Sequence, residues 1–599
     1  MSSLYERSSD LLEQLRGLFD LSEVPFTDRG SRILVFQGEG NALDFGIVGF
    51  LAGERPPAAV RVWFLADDGA VRPLQSIVGP DRVDLLIGDQ AQVMTFVDDG
   101  RLIVGLPIGR TRLVLETQKG AVPLLMDRGL RVGQAIGESI DITFTGNPEI
   151  SINGGTATVS IDEAGENSFW AQLTVNDDPI QVDGERSMAQ ILSESSERWV
   201  SHLLLDHTSP PTESLSVATA LWVLAANTVR LGSGREMQMP AKSFYQGLWG
   251  WDSYFHAFAL SRFVPEMART QLRILLDNQL PDGQLPDAVG FDGRVIAHSR
   301  DVPSTSPALL PLAARSGNDH IEHPGAPLTK PPLAPWAVWK LHERCPSREF
   351  LEETYQRLVA SHQWWFDRSD PDGDGLPDYL HPYSSGLDNN PLFDGGGWAG
   401  PPDLPAYLAR GYDALAAIAD VLERPSEAAT WRSEAERIVA LLIDLRWDSR
   451  QGRFRTVGVD DAPQTPLELM PLFTGRLPAA IADRLVARLT DPAKFWPRYP
   501  VPSVAVDEAK FDPISMCRGP TWVNINYLLI DGLEKSGYFD VAVELKRRTI
   551  DLLSSNTGMF EFYNPLSGRP PATAARFFSW TAAVFLDLSW PGSNSSSAE

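Results

Sequence analysis

The chain has 599 residues and a formal net charge of −26 at pH 7, with a sequence pI of about 4.8. This length exceeds what one hydrophobic core supports, so we expect several domains. The acidic balance argues against nucleic acid or an anionic membrane as a partner, because both would require clustered Lys and Arg. A small-molecule partner in a local pocket is the expectation that remains.

The two cysteines, Cys345 and Cys517, lie far apart in the chain. They define neither a disulfide framework nor a metal–thiolate site. The first thirty residues lack a basic start followed by an unbroken apolar run, which a secretory signal would show. No apolar, uncharged stretch is long enough to span a bilayer. We therefore expect a cytoplasmic protein.

Residues 1–195 have the pattern of β-strands. Turn sequences, Asp98-Asp99-Gly100 and Asn153-Gly154-Gly155, lie between β-rich runs as hairpin connections do. Several short strands at this spacing predict an antiparallel β-sandwich with a structural role. The β-rich runs lie at 33–36, 60–64, 101–104, 112–115 and 157–161.

After a linker at 196–212, the hydrophobic period becomes that of helices. About a dozen helical patterns follow, from 214–230 to 575–588, joined by loops rich in Pro and Gly. Because no repeat of fixed length is present, a closed all-α toroid over 213–590 is favoured over a solenoid. The Ser-rich tail at 591–599 is predicted to be disordered.

Two loops of the helical region each present an acidic residue. Asp388 lies in Ser-Ser-Gly-Leu-Asp-Asn-Asn-Pro at 384–391, and Glu561 lies in Met-Phe-Glu-Phe-Tyr-Asn-Pro at 559–565. Two carboxylates on separate loops of a helical scaffold suit hydrolysis of a glycosidic bond, which needs an acid for the leaving oxygen and a base for water.

Three further segments offer alternatives. Asp252, at a helix start beside Trp249 and Trp251, could cap the helix or bind vicinal sugar hydroxyls. Arg518 could pair with a structural carboxylate or orient a catalytic one, and Trp522 could line the pocket or the core. The loop at 283–287, Gly-Gln-Leu-Pro-Asp, is more typical of an ordinary turn.

The segment 370–378 resembles the start of a calcium loop, with Gly375 at the sixth position. His381 occupies the twelfth position in place of the bidentate Glu, so a complete EF-hand is excluded. A simpler structural calcium site and a bare Asp/Gly turn both remain open. The candidate ligands are Asp370, Asp372, Asp374 and Asp378.

Four segments, in this order, resemble the motif set of glycoside hydrolase family 63, which includes processing α-glucosidases and mannosylglycerate-hydrolase-like enzymes. They are Trp-Gly-Trp-Asp-Ser-Tyr at 249–254, Ser-Gly-Leu-Asp-Asn at 385–389, Arg-Gly-Pro-Thr-Trp-Val-Asn-Ile-Asn-Tyr at 518–527 and Glu-Phe-Tyr-Asn-Pro at 561–565. The resemblance implies an (α/α)6 toroid and inversion of the anomeric centre. It implies that Asp388 is the general acid and Glu561 the general base.

The same resemblance places Trp251 and Asp252 against the terminal sugar. We expect the other substrate-binding side chains to be those of Trp249, Asn389, Arg518, Trp522 and Tyr563. The predicted function is that of an inverting, exo-acting hydrolase that removes an α-linked glucose or mannose from a small glycoside or oligosaccharide. It requires no cofactor.

Other functions stay open. A trehalase-like enzyme is disfavoured because Lys-Ser-Phe-Tyr-Gln at 242–246 replaces the Pro-Gly-Gly-Arg-Phe run of trehalases. Phe-Thr-Asp-Arg-Gly-Ser-Arg at 26–32 is similar to sandwich domains that precede debranching-type glucosidases. A uronate polysaccharide lyase would use His and a basic cleft, and the strongest motifs contain no His. A noncatalytic sugar-binding protein would not need both Asp388 and Glu561.

Overall fold

The structure is a computed structural model. It describes residues 2–49, 58–107, 111–117, 121–126, 129–133, 139–144, 148–161, 170–175, 186–203, 215–301 and 326–590. The predicted tail at 591–599 and the predicted linker from 204 onward lie outside the described residues. Contacts divide the chain into two compact units. The first holds most of the chain up to Glu236, and the second holds the chain from Tyr245 onward.

Two antiparallel sheets make up most of the described part of the first unit. The strand order is β1-β2-β3-β8-β13-β12 in one sheet and β4-β5-β6-β7-β14-β11-β10-β9 in the other. The strands are β1 (Ile33–Gly38), β2 (Ala42–Ile47), β3 (Val60–Leu65), β4 (Leu74–Val78), β5 (Arg82–Ile87), β6 (Gln90–Asp98), β7 (Arg101–Gly105), β8 (Thr111–Thr117), β9 (Leu124–Met126), β10 (Gly129–Gly133), β11 (Ser139–Phe144), β12 (Glu149–Asn153), β13 (Thr156–Ile161) and β14 (Trp170–Val175).

The predicted antiparallel, β-rich character of this region is confirmed. Both predicted turns connect paired strands, β6 with β7 and β12 with β13. In β3 and β13, buried side chains alternate with half-buried ones, as expected where one face of a sheet is covered. The face-to-face packing of a sandwich stays a prediction.

Three helices also belong to the first unit: α1 (Ser2–Leu15), α2 (Met188–Leu203) and α3 (Leu215–Ala226). The start of the predicted linker is therefore helical. Helix α2 packs on β6, where Arg198 donates to the carbonyls of Phe96 and Val97; Arg198 also forms an ion pair of 2.7 Å with Asp28. Helix α3 was predicted within the catalytic domain, but it packs against α1 and α2.

The second unit is mainly helical. Its helices are α4 (Gly250–Leu260), α5 (Pro265–Asp277), α6 (Ala334–Arg344), α7 (Arg348–Arg368), α8 (Asp403–Val421), α9 (Pro425–Arg446), α10 (Ala479–Leu489), α11 (Val523–Lys535), α12 (Phe539–Ser554) and α13 (Ser579–Ser589). Five short strands lie in the described part of this unit: β17 (Leu248–Trp249), β18 (Ala288–Val289), β19 (Val295–Ile296), β20 (Trp447–Asp448) and β21 (Arg453–Phe454). Two others precede them: β15 (Thr228–Arg230) lies in the first unit, and β16 (Glu236–Gln238) crosses the boundary between the units.

The sequence located most of these helices to within a few residues, but it missed α6. Pro331, Pro332 and Pro335 hide its hydrophobic period, although a proline in the first turn is compatible with a helix. Helix α4 is buried along its whole length and packs against α5, α6 and α13. None of the helices in the described parts of the chain combines the length and apolar composition needed to cross a lipid bilayer.

Candidate active site

The loop that carries Asp388 is shaped by Gly386. This glycine has a φ of 71° and ends a short 3-10 helix, Pro382–Ser385. A Cβ on Gly386 would lie 2.3 Å from the indole of Trp251, closer than any real contact. Glycine is therefore required here for two reasons, its positive φ and the ring against it. The first and second motifs meet at this contact.

Cys517 and Arg518, where the third motif begins, support the same loop. The Asn389 Oδ1 accepts a hydrogen bond of 2.8 Å from the Cys517 amide. Arg518 donates to the Asn389 carbonyl and to both carboxylate oxygens of Asp394. Of the two alternatives for Arg518, the structure shows pairing with a carboxylate that supports the Asp388 loop.

Glu561 lies on a second loop and is almost fully buried. Its Oε1 accepts a hydrogen bond of 2.8 Å from the Tyr245 hydroxyl, and its Oε2 accepts one of 3.2 Å from the Ala575 amide. The backbone of Tyr563 pairs with that of Thr521, which joins the third and fourth motifs. The Tyr563 hydroxyl accepts a bond from the Phe560 amide, so this side chain supports the loop.

Lys330 provides the positive charge beside Asp388. Its Nζ lies 3.7 Å from the Asp388 Oδ1 and 3.1 Å from the Asp287 Oδ1, and it donates to the Tyr383 carbonyl at 2.9 Å. The Asp388 side chain is 19 % exposed, whereas those of Lys330 and Asp287 are 6 % and 2 % exposed. Of these three groups, Asp388 is the one that a substrate can reach most directly.

The negative charges of Asp388 and Glu561 affect the pKa of the same two groups. Burial raises the pKa of the Tyr245 hydroxyl, and the negative charges of Glu561 and Asp388 raise it further. Burial also raises the pKa of the Cys517 thiol, as do Asp388 and, more weakly, Glu561. Contacts agree with this shared influence, since Tyr245, which donates to Glu561, packs against Trp249, and the Lys330 ammonium lies near both that indole and Asp388.

The site concentrates acidic groups. Burial raises the pKa of Asp252 to about 8 and that of Asp287 to about 6, although Lys330 opposes both shifts. Burial likewise raises the pKa of the Asp388 carboxyl, again against Lys330. Several carboxyls with one ammonium among the described residues cannot all ionise without a large desolvation cost. The Asp388 carboxyl is therefore under two opposing influences: burial favours its protonated form, and the Lys330 ammonium favours its ionised form.

A series of aromatic contacts connects the motif segments that carry the two loops. The Trp251 and Trp580 ring centroids are 5.3 Å apart, those of Trp580 and Trp522 are 5.6 Å apart, and those of Trp522 and Phe562 are 5.1 Å apart. Trp251 and Trp522 are buried. These edge-to-face and tilted contacts connect the first, third and fourth motifs and fix the spacing of the loops.

Trp249 is less buried than Trp251 and contacts both Tyr245, beside Glu561, and Lys330, beside Asp388. Its ring lies 5.5 Å from that of Tyr245 and 5.7 Å from the Lys330 Nζ. Its Nε1 and the Tyr383 hydroxyl are buried without a hydrogen-bond partner in the described parts of the chain. Two such donors suit the recognition of sugar hydroxyls. Asp252, in the first turn of α4, does not act as the helix cap, which is Trp249.

The sequence did not assign four of these groups to the site: Tyr245, Asp287, Lys330 and Tyr383. The loop that ends at Asp287 was interpreted as an ordinary turn, and Tyr245 was noted only for its difference from trehalases. Nothing in the Thr-Lys-Pro-Pro run around Lys330 signals a charged site residue.

The acidic loop at 370–378 has features of both a simple calcium site and a bare Asp/Gly turn. Asp370, Asp372 and Asp374 each offer an oxygen within 4.8 Å of the others, a donor set that suits calcium. Asp370 also accepts hydrogen bonds from two amides of the turn. Arg446 contacts Asp374 at 2.7 Å and Asp378 at 3.4 Å, so it competes with a cation for these carboxylates. Calcium binding stays a prediction.

A family model of the mannosylglycerate hydrolase MGH1-like glycoside hydrolase domain matches residues 245–581, more than half of the chain. The chain belongs to this family. The mannosylglycerate hydrolase of Rubrobacter radiotolerans is 26% identical over 421 residues, which cover 59% of this glycoside hydrolase and 93% of the relative. The glucosylglycerate hydrolase of Mycolicibacterium hassiacum is 24% identical over 463 residues, which cover 64% and 100% of the two chains.

Among solved structures, the glycoside hydrolase is similar to the GH63 mannosylglycerate hydrolase of Thermus thermophilus in complex with glucose. The TM-score is 0.51 and the identity 25%, and the match covers 62% of this chain and 99% of the other. The predicted resemblance to family 63 and the predicted glycoside hydrolase class are confirmed.

Proposed function

We propose that this glycoside hydrolase is inverting and exo-acting, and that it removes a terminal α-linked glucose or mannose from a small glycoside or an oligosaccharide. The observation that carries the proposal is the pair Asp388 and Glu561, which a short series of contacts connects. The Tyr245 hydroxyl donates to Glu561 and its ring packs against Trp249. The Lys330 ammonium lies 5.7 Å from the Trp249 ring and 3.7 Å from the Asp388 carboxyl. We also infer that the helices of the second unit close into an (α/α)6 toroid, an inference supported by the similarity to the Thermus structure.

In the proposed reaction, Asp388 donates its proton to the glycosidic oxygen as the bond from that oxygen to the anomeric carbon breaks. The electron pair of the bond leaves with the oxygen, and the leaving group departs as an alcohol. Glu561 takes a proton from the water that attacks the opposite face. Room for this water requires the two carboxyls to lie about 6.5–9.5 Å apart. No metal or organic cofactor enters these steps.

The environments of the two groups support these roles. Burial favours the protonated form of Asp388, against the Lys330 ammonium 3.7 Å away. Glu561 accepts hydrogen bonds from the Tyr245 hydroxyl and the Ala575 amide, and donors of this kind favour a carboxylate that can act as a base. We assign Asp252 to the terminal sugar, as the sequence predicts, and Trp249 in place of the predicted Trp251, which is buried against Gly386.

Glycerate glycosides are the first substrates to test, since the two relatives are named for hydrolysis of mannosylglycerate and glucosylglycerate. A panel should contain both compounds, trehalose and α-linked gluco-oligosaccharides, with free glucose or mannose as the measured product. Proton NMR of the first turnover should show the β-anomer of the released sugar. A first-formed α-anomer would rule out direct attack by water.

The same panel separates the alternative functions. Absorbance of an unsaturated product from a uronate polysaccharide, added to the panel, would support a lyase. Binding of several glycosides without turnover would support a noncatalytic sugar-binding protein. Either result would reject the proposed function.

A further inference from the structure

We propose that Lys330 is a positioning residue for Asp388: its buried ammonium holds the acid carboxyl in place and, shared with Asp287, sets the pH range over which Asp388 carries its proton. This inference rests on the proposed function for its catalytic consequence. The charge balance that it describes can be measured without turnover.

The first support is the geometry around the ammonium. Lys330 contacts two carboxyls, Asp287 at 3.1 Å and Asp388 at 3.7 Å. Its hydrogen bond to the Tyr383 carbonyl fixes the ammonium against the segment that leads into the Asp388 loop. One hydrogen bond and two carboxyls within 4 Å therefore restrict where the ammonium can lie.

The second support is the rigidity of the backbone on both sides of this contact. The buried Gln284 side chain donates to the carbonyls of Ala297 and Leu328, which ties the chain before Lys330 to a neighbouring segment. Asp287 lies directly before β18, and its carbonyl accepts a bond of 2.8 Å from the Gly250 amide. The ammonium and its first carboxyl are therefore held by separate, fixed segments.

The third support is the charge around Asp388. In the described parts of the chain, Lys330 is the cation that acts on Asp388. Other buried titratable groups face the same site: the carboxyls Asp252, Asp287 and Glu561, the Tyr245 and Tyr383 hydroxyls and the Cys517 thiol. None of these is positively charged, so the loss of Lys330 leaves the acid with negative or neutral neighbours.

The expected direction follows from the acid role. A general acid works only while it is protonated, so kcat/KM falls as pH rises through the pKa of Asp388. Removal of the Lys330 charge raises that pKa, and the alkaline limb of the profile moves to higher pH. Opposite charges at this range shift a carboxyl pKa by about 1–3 units. We expect Lys330→Met to move the alkaline limb upward by about this amount.

Asp287→Asn gives the test of opposite sign. It removes a negative neighbour of Asp388 and frees the Lys330 ammonium from its nearest carboxyl. The alkaline limb should then move to lower pH. Lys330→Arg keeps the charge and should leave the limb close to that of the wild type, even if its different shape lowers kcat.

Lys340→Met is the matched control. Lys340 is a partly buried lysine of the second unit, 2.6 Å from Asp531, and it is not among the groups that shift the pKa of Asp252, Asp287 or Asp388. This variant should lose stability without a shift of the limb. Thermal unfolding should accompany every variant, so that a folding defect is separated from a change in protonation.

Positioning adds a second readout. Lys330→Met should lower kcat more for glycosides with poor leaving groups, which need the acid, than for glycosyl fluorides, which do not. An equal loss for both substrates, with an unshifted limb in Lys330→Met and Asp287→Asn, would overturn the inference while leaving the proposed function intact.

A carboxyl NMR titration makes the inference independent of substrate. The Asp388 carbon resonance is assigned in ¹³C-labelled protein as the signal missing from Asp388→Asn, and its pKa is compared between the wild type and Asp287→Asn. A lower pKa in Asp287→Asn supports the inference, and an unchanged pKa rejects it. Failure of the proposed function would show instead as an absence of hydrolysis across the glycoside panel.

Discussion

The loops that carry Asp388 and Glu561 hold their carboxyls by different means. Glu561 accepts hydrogen bonds directly, from the Tyr245 hydroxyl and the Ala575 amide. Asp388 has an Oδ1 without a hydrogen-bond partner in the described parts of the chain, and the Lys330 ammonium lies 3.7 Å away. Hydrogen-bond donors favour the ionised form of a carboxyl group, which can act as a base. Burial with few such donors favours the protonated form, which can act as an acid. Two carboxyls in one site can thus take opposite roles.

Removal of either carboxyl should have the largest effect. Asp388→Asn and Glu561→Gln should each lower kcat by about 10²–10⁴-fold for glycosides with poor leaving groups, the usual contribution of a general acid or base. Asp388→Asn should retain much of its activity on glycosyl fluorides, because fluoride leaves without a proton. Unfolding temperatures near that of the wild type would show that the fold is intact; a nearly wild-type kcat would reject the assignments.

Tyr245→Phe tests the hydrogen bond that supports Glu561 as the general base. It removes one donor to Glu561 while keeping the ring against Trp249 and Phe578. A hydrogen bond to a charged group contributes about 1.5–3 kcal/mol, so we expect kcat to fall about 10–100-fold. Tyr355→Phe is the matched control, because its hydroxyl donates to Glu427 outside the site. Equal kcat losses in both variants would show that the effect is not local to Glu561.

Gly386→Ala tests how the acid loop is shaped. The positive φ costs about 1–3 kcal/mol of stability for a non-glycine residue, and the added methyl group would overlap the Trp251 ring. Gly373→Ala is the control. It has the cost of a positive φ (+72°) but no steric overlap, because nothing lies within 4 Å of the added carbon. Urea unfolding should therefore show the larger loss for Gly386→Ala. Equal losses would mean that the contact with Trp251 does not restrict this loop.

Arg518→Lys should have the smallest effect of the four. It replaces a two-point contact with Asp394 by a single-point one, so the support of Asn389 weakens while the charge remains. We expect kcat to fall several-fold with little change in KM. Arg476→Lys alters an equivalent pair with Asp413 and should leave kcat unchanged. A rise in KM alone would instead place Arg518 against the substrate.

Local patterns predicted much of the fold. Alternating apolar residues located β3 and β13, and a turn of two glycines located the hairpin between β12 and β13. The period of 3.6 residues located helices such as α8, predicted at 404–422 and found at Asp403–Val421. These features depend on neighbours within a few residues, which is why sequence alone determines them. The proline-rich start of α6 is the exception, because its helix is stabilised by packing against α4 and α8.

The sequence by itself determined the family, the order of the four motifs and the two loops in which Asp388 and Glu561 lie, because each is a short run of residues. Only the tertiary structure decided what surrounds these carboxyls. Lys330, Asp287 and Tyr245 reach them from distant parts of the chain. Protonation depends on burial and on charges a few ångströms away in space, and neither quantity can be read from the order of residues.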